Sequence, residues 1–373
     1  MSVPKVYFSD RKTSAHYNML DKLEHVFQEL GLSEHIQEGD KVMIKTHMGL
    51  YGNTNYIRPA YVRKLVELVK QAGGFPFVAD TCSLGYGTSR PYGGRTTAQD
   101  YYTRAELNGF SQATVGAPII LADGYWGSDF LDVSISGDFI TSVPVPSAVF
   151  DCDKVIILSH SKFHHIGIAS ALKNMGVGLV AKKGKTAVHS PNGLEIYPEK
   201  CLGSECSECL SVCPVRCITV ANTVTIDIDR CIQCGHCSAI CTSNVEAGAL
   251  KVTWAGVNMA EKIVENTLGV MESIGRDRFY FINLAMDISD MCDCVCYAAP
   301  LLMHDLGIFG SRDPVAIDAA TADAMKKAMP NKANPNSERI ATLVDKSSVF
   351  FEHSEKIGLG SKKFDLVFLS RSE

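Results

Sequence analysis

The sequence predicts an α/β protein, with a mostly parallel, doubly wound sheet interrupted by a small inserted α+β module. Three observations carry this. Short β-branched apolar runs alternate with stretches of helical periodicity up to about residue 160. The alternation resumes after residue 255. Between them lies a segment of another character, in which nine of the fourteen cysteines fall between residues 201 and 241.

The elements follow in order. KVYFSD (5–10) and KVMIKTH (41–47) read as strands, being short, β-branched and apolar. Between them HYNMLDKLEHVFQELG sets apolar residues near helical spacing and stops at Gly31. RPAYVRKLVELVKQAGG (58–74) repeats that logic, with proline at its start and glycines after it. FPFVAD (75–80), APIILADG (117–124) and KVIILSH (154–160) are further strands. After the cysteine-rich segment, 257–275 reads as a helix, FYFINLAMD (279–287) as a strand and 313–329 as a helix with Pro314 in its first turn. In sheets of this kind ligands bind beyond the carboxyl ends of strands. That directs attention to Lys45-Thr46-His47, Asp80-Thr81, Asp123-Gly124 and His160-Ser161-Lys162.

Composition narrows the function classes. The 373 residues are 46% hydrophobic and 21% charged, which suits a globular chain with a large core. A net charge of −5 argues against a nucleic-acid protein. No apolar run approaches the ~18 residues of a membrane span, and the first residues carry no apolar core of a secretory signal. The expected address is cytoplasmic. In a reducing compartment clustered cysteines are metal ligands more often than disulfides. Cys82 and Cys152 stand alone and read as small buried hydrophobes.

CIQCGHCSAIC supplies Cys231, Cys234, Cys237 and Cys241, with Thr242 where a proline is usual. Upstream, Cys201, Cys206, Cys209 and Cys213-Pro214 repeat the pattern, with four residues in the first gap instead of two. The pair resembles the bacterial two-cluster ferredoxin signature, C-x2-C-x2-C-x3-C-P used twice, in which each fourth cysteine ligates the other cluster. That resemblance implies one [4Fe–4S] cluster on Cys201, Cys206, Cys209 and Cys241, and a second on Cys213, Cys231, Cys234 and Cys237. Cys217 is left over, and could replace Cys201 only if the first loop rearranged. Zinc is the alternative occupant, but zinc ribbons set their CxxC pairs further apart and lack a third cysteine followed by C-P. VTIDID reads as a short strand ahead of the second run. The expected organisation is an α/β domain in two parts, 1–195 and 255–373, with a ferredoxin-like insert at 196–254.

The stretch 159–190 gathers His160, Lys162, His164, His165, Lys173, Asn174, Lys182, Lys183, Lys185 and His189 among glycines. Cations and imidazoles in a glycine-rich loop suit a small anion such as a carboxylate or phosphate. Gly176 and Gly178 permit close backbone approach or positive φ. Lys182, Lys183 and Lys185 read as a solvated charge run. His160, Lys173 and His189 read as catalytic candidates, and Lys45, Arg58, Lys162, His164 and Asn174 as candidate cofactor-binding residues. Cys292-x-Cys294-x-Cys296 matches no common iron–sulfur spacing and leaves open a third metal, a lent thiolate, or three half-buried thiols. No nucleotide-binding glycine motif occurs.

KTHMG, NYIRP, DGYWG, SHSKFHH, ALKNMGVG, the cysteine runs, CDC and DLGIFGSRDPVAIDAA together resemble a prokaryotic family catalogued as domain of unknown function 362, in its iron–sulfur form. The resemblance implies the α/β-plus-ferredoxin architecture and a cytoplasmic setting, and supplies no reaction. A more distant likeness is to the N-terminal domain of nickel-pincer lactate racemases. It would match Arg58-Pro59 to an early Arg-Pro, Lys173 to a cofactor-tethering lysine and His189 to a nickel-ligating histidine. Those racemases lack a ferredoxin insert.

The expected function is therefore an iron–sulfur oxidoreductase or electron-transfer protein. Two [4Fe–4S] clusters would serve a site in the α/β domain that binds a small anionic substrate, or a further anionic cofactor, with a histidine as proton donor. The partner is a redox protein or a small molecule, and the oligomeric state is open. Two alternatives stand: a pure electron relay docking to a partner enzyme, and a cofactor-dependent isomerase of the nickel-pincer type.

Overall fold

A computed structural model describes residues 3–84, 95–243, 248–253 and 255–370. Its centre is an eight-stranded sheet. In chain order the strands are β1 (Lys5–Asp10), β2 (Lys41–Lys45), β3 (Phe75–Asp80), β4 (Ile119–Leu121), β5 (Lys154–His160), β6 (Phe279–Ala285), β7 (Gly307–Ser311) and β8 (Asp365–Phe368). In space they run β8-β1-β7-β6-β5-β2-β3-β4. Only β7 is antiparallel to its neighbours, β1 and β6; every other pairing is parallel. The mostly parallel α/β reading holds.

Period-two alternation feeds two cores, one on each face of the sheet. Val155, Ile157, Phe279 and Phe281 face one; Ile156, Leu158, Tyr280 and Ile282 face the other. Helices α1 (Met19–Glu29) and α2 (Pro59–Gln71) cover the second face. α3 (Ala171–Gly176), α5 (Met259–Ile274) and α6 (Pro314–Lys327) cover the first, and α4 (Lys182–His189) packs beside α5. Asn18 caps α1 by accepting from the amides of Leu20 and Asp21, while Asp21 reaches back to the Asn18 amide. Pro59 and Pro314 open their helices as expected.

The strand β7 was not legible in the sequence because GIFGS carries two glycines. Both are there for close approach. A Cβ at Gly307 would lie 2.1 Å from the Ser9 carbonyl, and one at Gly310 2.5 Å from Val26 against α1. A hairpin, Phe130–Ser134 with Ser142–Pro146, adds to the elements the sequence predicts.

The cysteine-rich segment folds as a small separate-cored module. Leu194–Ile196 pairs antiparallel with Leu250–Val252 at its base, two residues ahead of the boundary expected at 196; residue 254 lies outside the described residues. Within it sit a hairpin, Ile218–Val220 with Val224–Ile226, and the helices Glu208–Ser211 and His236–Ser243. Its core is largely sulfur: Cys209, Cys217, Cys237 and Cys241 with Ile218, Val224 and Leu250.

Helices α3 and α5 pack closely at Gly176, where an added Cβ would meet the Ile263 carbonyl at 2.1 Å. The substitution G176A should therefore force the helices apart and cost about 1–3 kcal/mol. A thermal or urea denaturation series on wild type and variant checks it.

Candidate functional site

Strand order reverses between β2 and β5. From β2 the chain moves outward through β3 and β4, then returns to β5 on the other side and continues to β6. Such a reversal leaves a crevice at the strands' carboxyl ends. A cavity of about 300 Å³ occupies it, lined by His47, Asp80, His160, Lys162, Lys173, Asn174, Lys185 and His189 among others.

Buried charge organises the crevice. Lys45, at the end of β2 and fully buried, pairs with Asp80 at the end of β3 at 3.0 Å and donates to Asn174 Oδ1 at 2.7 Å. Burial lowers the Lys45 ammonium, and Asp80 pulls it back up. Burial would raise the Asp80 carboxyl, but Lys45, His47 and Arg95 together bring it below the usual carboxylate range. The Tyr101 hydroxyl also donates to it. Across the cavity Asp293 receives Lys162 at 2.7 Å and His160 Nδ1 at 2.8 Å. These partners overcome burial and hold Asp293 well below the usual range. His47 meets Arg95 at 2.8 Å, and burial with that guanidinium pushes the imidazole down to about 3.

Lys173 and Asn174 arrive on α3, a short helix fixed at its start by Asp318. That carboxylate accepts from the amides of Ala171 and Leu172 and from Asn283 Nδ2, each at 2.9 Å. Burial lifts its pKa to about 6. Among the described residues, neither Lys173 nor Lys185 has a carboxylate within ion-pair distance. Lys185 donates to Thr81 Oγ1 at 2.7 Å and the Val180 carbonyl at 2.5 Å; Lys173 reaches Cys292 Sγ at 3.8 Å. Burial lowers each of them to about 8. A buried cation without a counter-charge is costly, so a small anion in the cavity is the group that would relieve both.

The candidate residues separate accordingly. His160, Lys162, His164, Lys173, Asn174 and His189 line the cavity, and Lys45 supports it from behind. Arg58 does not join them: it stands at the start of α2, 60% exposed, paired with Asp287 at 2.8 Å. Both ring nitrogens of His160 are engaged, by Asp293 and the Met286 carbonyl. His189 Nδ1 meets the Lys185 carbonyl, and burial brings the ring to about 4. The solvated reading of Lys182, Lys183 and Lys185 is corrected, because residues 182–189 form α4, with Lys182 and Lys185 buried and only Lys183 turned outward. Gly176 and Gly178 serve close approach and lack positive φ. Arg95 and the partnering role of Asp293 escaped the sequence, since neither follows a strand read there as site-bearing.

The cysteines converge on two further cavities. One is lined by Cys201, Cys206, Cys209 and Cys241 with Val220, Val224 and Leu250. The other is lined by Cys213, Cys231, Cys234 and Cys237. Four thiols on an apolar pocket fit the donor set of an iron–sulfur cluster. Backbone amides point at the sulfurs: Gly203 to Cys201, Cys217 to Cys213 and Leu250 to Cys241, each at 3.4 Å. Cys217 lies in the second pocket, 3.6 Å from Cys213 Sγ, and so on the side away from Cys201. The helix α4 adjoins this pocket as well as the crevice. Thr186 Oγ1 donates to the Gln233 carbonyl at 2.7 Å, next to Cys234, while Lys185 and His189 line the crevice.

The family model described as "Domain of unknown function (DUF362)" matches residues 42–323. The curated "Ferredoxin 7Fe" of Hydrogenibacillus schlegelii is 43% identical over 47 residues, 12% of this chain and 60% of that protein. Among solved structures, the lactate racemase apoprotein from Thermoanaerobacterium thermosaccharolyticum aligns with a TM-score of 0.34 at 8% identity, over 77% of this chain and 51% of that one. The chain thus spans less than two thirds of either relative. The ferredoxin relative and the cysteine-rich module point to an iron–sulfur protein. Among the described residues no helix is long and apolar enough to cross a membrane.

An anion held by Lys173 and Lys185 needs both protonated. Their pKa values near 8 place the loss between pH 7 and pH 9. Affinity for a probe such as inorganic phosphate should fall as pH rises across that window, by roughly tenfold for each lysine involved. Calorimetric titration at several pH values checks it.

Proposed function

The chain belongs to the family described as domain of unknown function, DUF362, and on that premise we propose that it is an iron–sulfur electron-transfer protein serving an anion-binding site. Eight cysteines hold two [4Fe–4S] clusters, Cys201, Cys206, Cys209 and Cys241 for one and Cys213, Cys231, Cys234 and Cys237 for the other. When bound, such clusters supply one-electron transfer. The α/β crevice takes a small carboxylate or phosphate through Lys173 and Lys185, with Asn174 fixing the wall behind it by its bonds to Lys45, the Leu158 carbonyl and Ser159 Oγ. His189 is the proton-handling candidate, and His160 with Lys162 and Asp293 shapes the floor.

The single observation that supports this reading is the position of α4. It contacts the Cys234 loop through Thr186 and the crevice through Lys185 and His189. Only the width of one helix, about 10–12 Å with side chains, separates the two. The insert and the α/β parts are on this reading one functional unit. A pure relay has less support, because two of the lysines it would use for docking are buried. An isomerase of the nickel-pincer kind has one observation in its favour, that Lys173 and His189 line the same cavity. A covalent mass addition on Lys173 would mark it.

Protein purified without oxygen should contain about eight irons and eight labile sulfides per chain. C234S should lose about half of them and C217S none. A count near seven would replace one cluster by a three-iron centre, and zinc without iron would overturn the reading. K173A and K185A should each weaken phosphate binding at least tenfold while leaving the iron count unchanged. Unchanged binding in both would remove the anion site from the proposal.

A further inference from the structure

Two groups of three metal-ligating side chains converge among the described residues. The first, Asp138, Glu265 and His353, is already satisfied. Glu265 accepts from the amides of Asp138, Phe139 and Ile140 and from His353 Nε2, and Lys356 pairs with Asp138. Those bonds lock a loop onto α5 and occupy both oxygens of Glu265.

The second is different in kind. A ring nitrogen of His164 and the sulfurs of Cys292 and Cys294 lie within 4.8 Å of one another on the wall of the anion crevice. They come from two separate elements: the short strand Lys162–His164, and the loop after β6 in which Asp293 already grips His160 and Lys162. His164 Nδ1 is buried with no hydrogen-bond partner, which is rare for an imidazole and calls for an occupant. Cys292 and Cys294 form a disulfide, so the sulfurs are already adjacent. Lys173 Nζ stands 3.8 Å from Cys292 Sγ, where its charge favours the thiolate.

We propose that, in the dithiol state, His164, Cys292 and Cys294 form a three-ligand site for a thiophilic divalent cation such as Zn²⁺, with the fourth position open to the crevice. Two sulfurs, one imidazole and an open position make a donor set that zinc takes in sites where it handles a substrate. A small anion held by Lys173 and Lys185 would sit within reach of that position. The site is redox-dependent by construction. A thiol reductant transfers two electrons into the Cys292–Cys294 bond, leaving two thiols and its own disulfide, and the cation then displaces two thiol protons to solvent. The metal set uses His164 in place of Cys296, so it is not a CxCxC site. It is independent of the eight cysteines assigned to iron.

The test uses the cluster-loaded protein under anaerobic conditions, reduced with a thiol, dialysed against Zn²⁺ and then against metal-free buffer. Zinc and iron are counted on the same sample, so that failure of the iron–sulfur reading shows in the iron alone. We expect about one zinc per chain in the reduced protein and none after the disulfide is formed. H164A and C294S should lower zinc affinity at least tenfold at unchanged iron content. Cys294 is exposed, so C294S leaves the fold intact even if H164A does not. Reduced wild type that retains no zinc, or a C294S protein that retains as much as wild type, would overturn the proposal.

Discussion

The fully buried ion pair between Lys45 and Asp80 sets the terms for everything around it. Taking an ammonium out of water costs several kcal/mol unless partners surround it. Here the partners come from two elements, Asp80 from β3 and Asn174 from α3, and the sheet register brings the ends of β2 and β3 level. Losing either would leave the lysine charged and less supported at the point where strand order reverses. The helix α3 must therefore sit where it does, and Asp318 holds it there. Lys173, one residue before Asn174, is then carried to the crevice wall as a consequence.

That arrangement leaves the crevice with a surplus of positive charge. Asp80 and Asp293 answer Lys45, Arg95, Lys162 and His160, which leaves Lys173 and Lys185 without carboxylates. The same helix that brings Lys185 also carries Thr186 to the loop of Cys234 and buries Lys182. Burial raises the Cys234 thiol, while the His236 amide and the charge of Lys182 pull against it. The crevice and the cysteine module thus share a structural member.

Much of this was written in the sequence, for identifiable reasons. Strands β2, β3 and β5 stand out as β-branched runs, and the polar residues that end them are the ones that meet in the crevice. The resemblance of the double cysteine run to a two-cluster ferredoxin implies its division into two sets, and the structure lines two cavities with those eight residues, Cys217 joining the second. What escaped depended on burial. KKGKTAVH looks solvated because its charges are dense, yet Lys182 and Lys185, three apart, share an inward helix face. Arg58 is a candidate only through the likeness of Arg58-Pro59 to the racemases' Arg-Pro, whereas here Pro59 starts α2 and Arg58 pairs with Asp287. Arg95 and Asp293 are recognisable only once distant segments are adjacent, and the glycines of β7 hide a strand because close packing took the place of side chains.

The claim that joins these parts is that α4 couples the crevice to the second cysteine site. A redox titration followed by electron paramagnetic resonance, with and without saturating inorganic phosphate whose binding is verified in the same sample, tests it directly. Linkage requires that an anion which senses the cluster's charge must shift its potential in return. On the two-cluster proposal, the expected result is that one cluster moves to lower potential when phosphate is bound, and that the other stays in place. Identical potentials for both clusters, with phosphate demonstrably bound, would contradict the account.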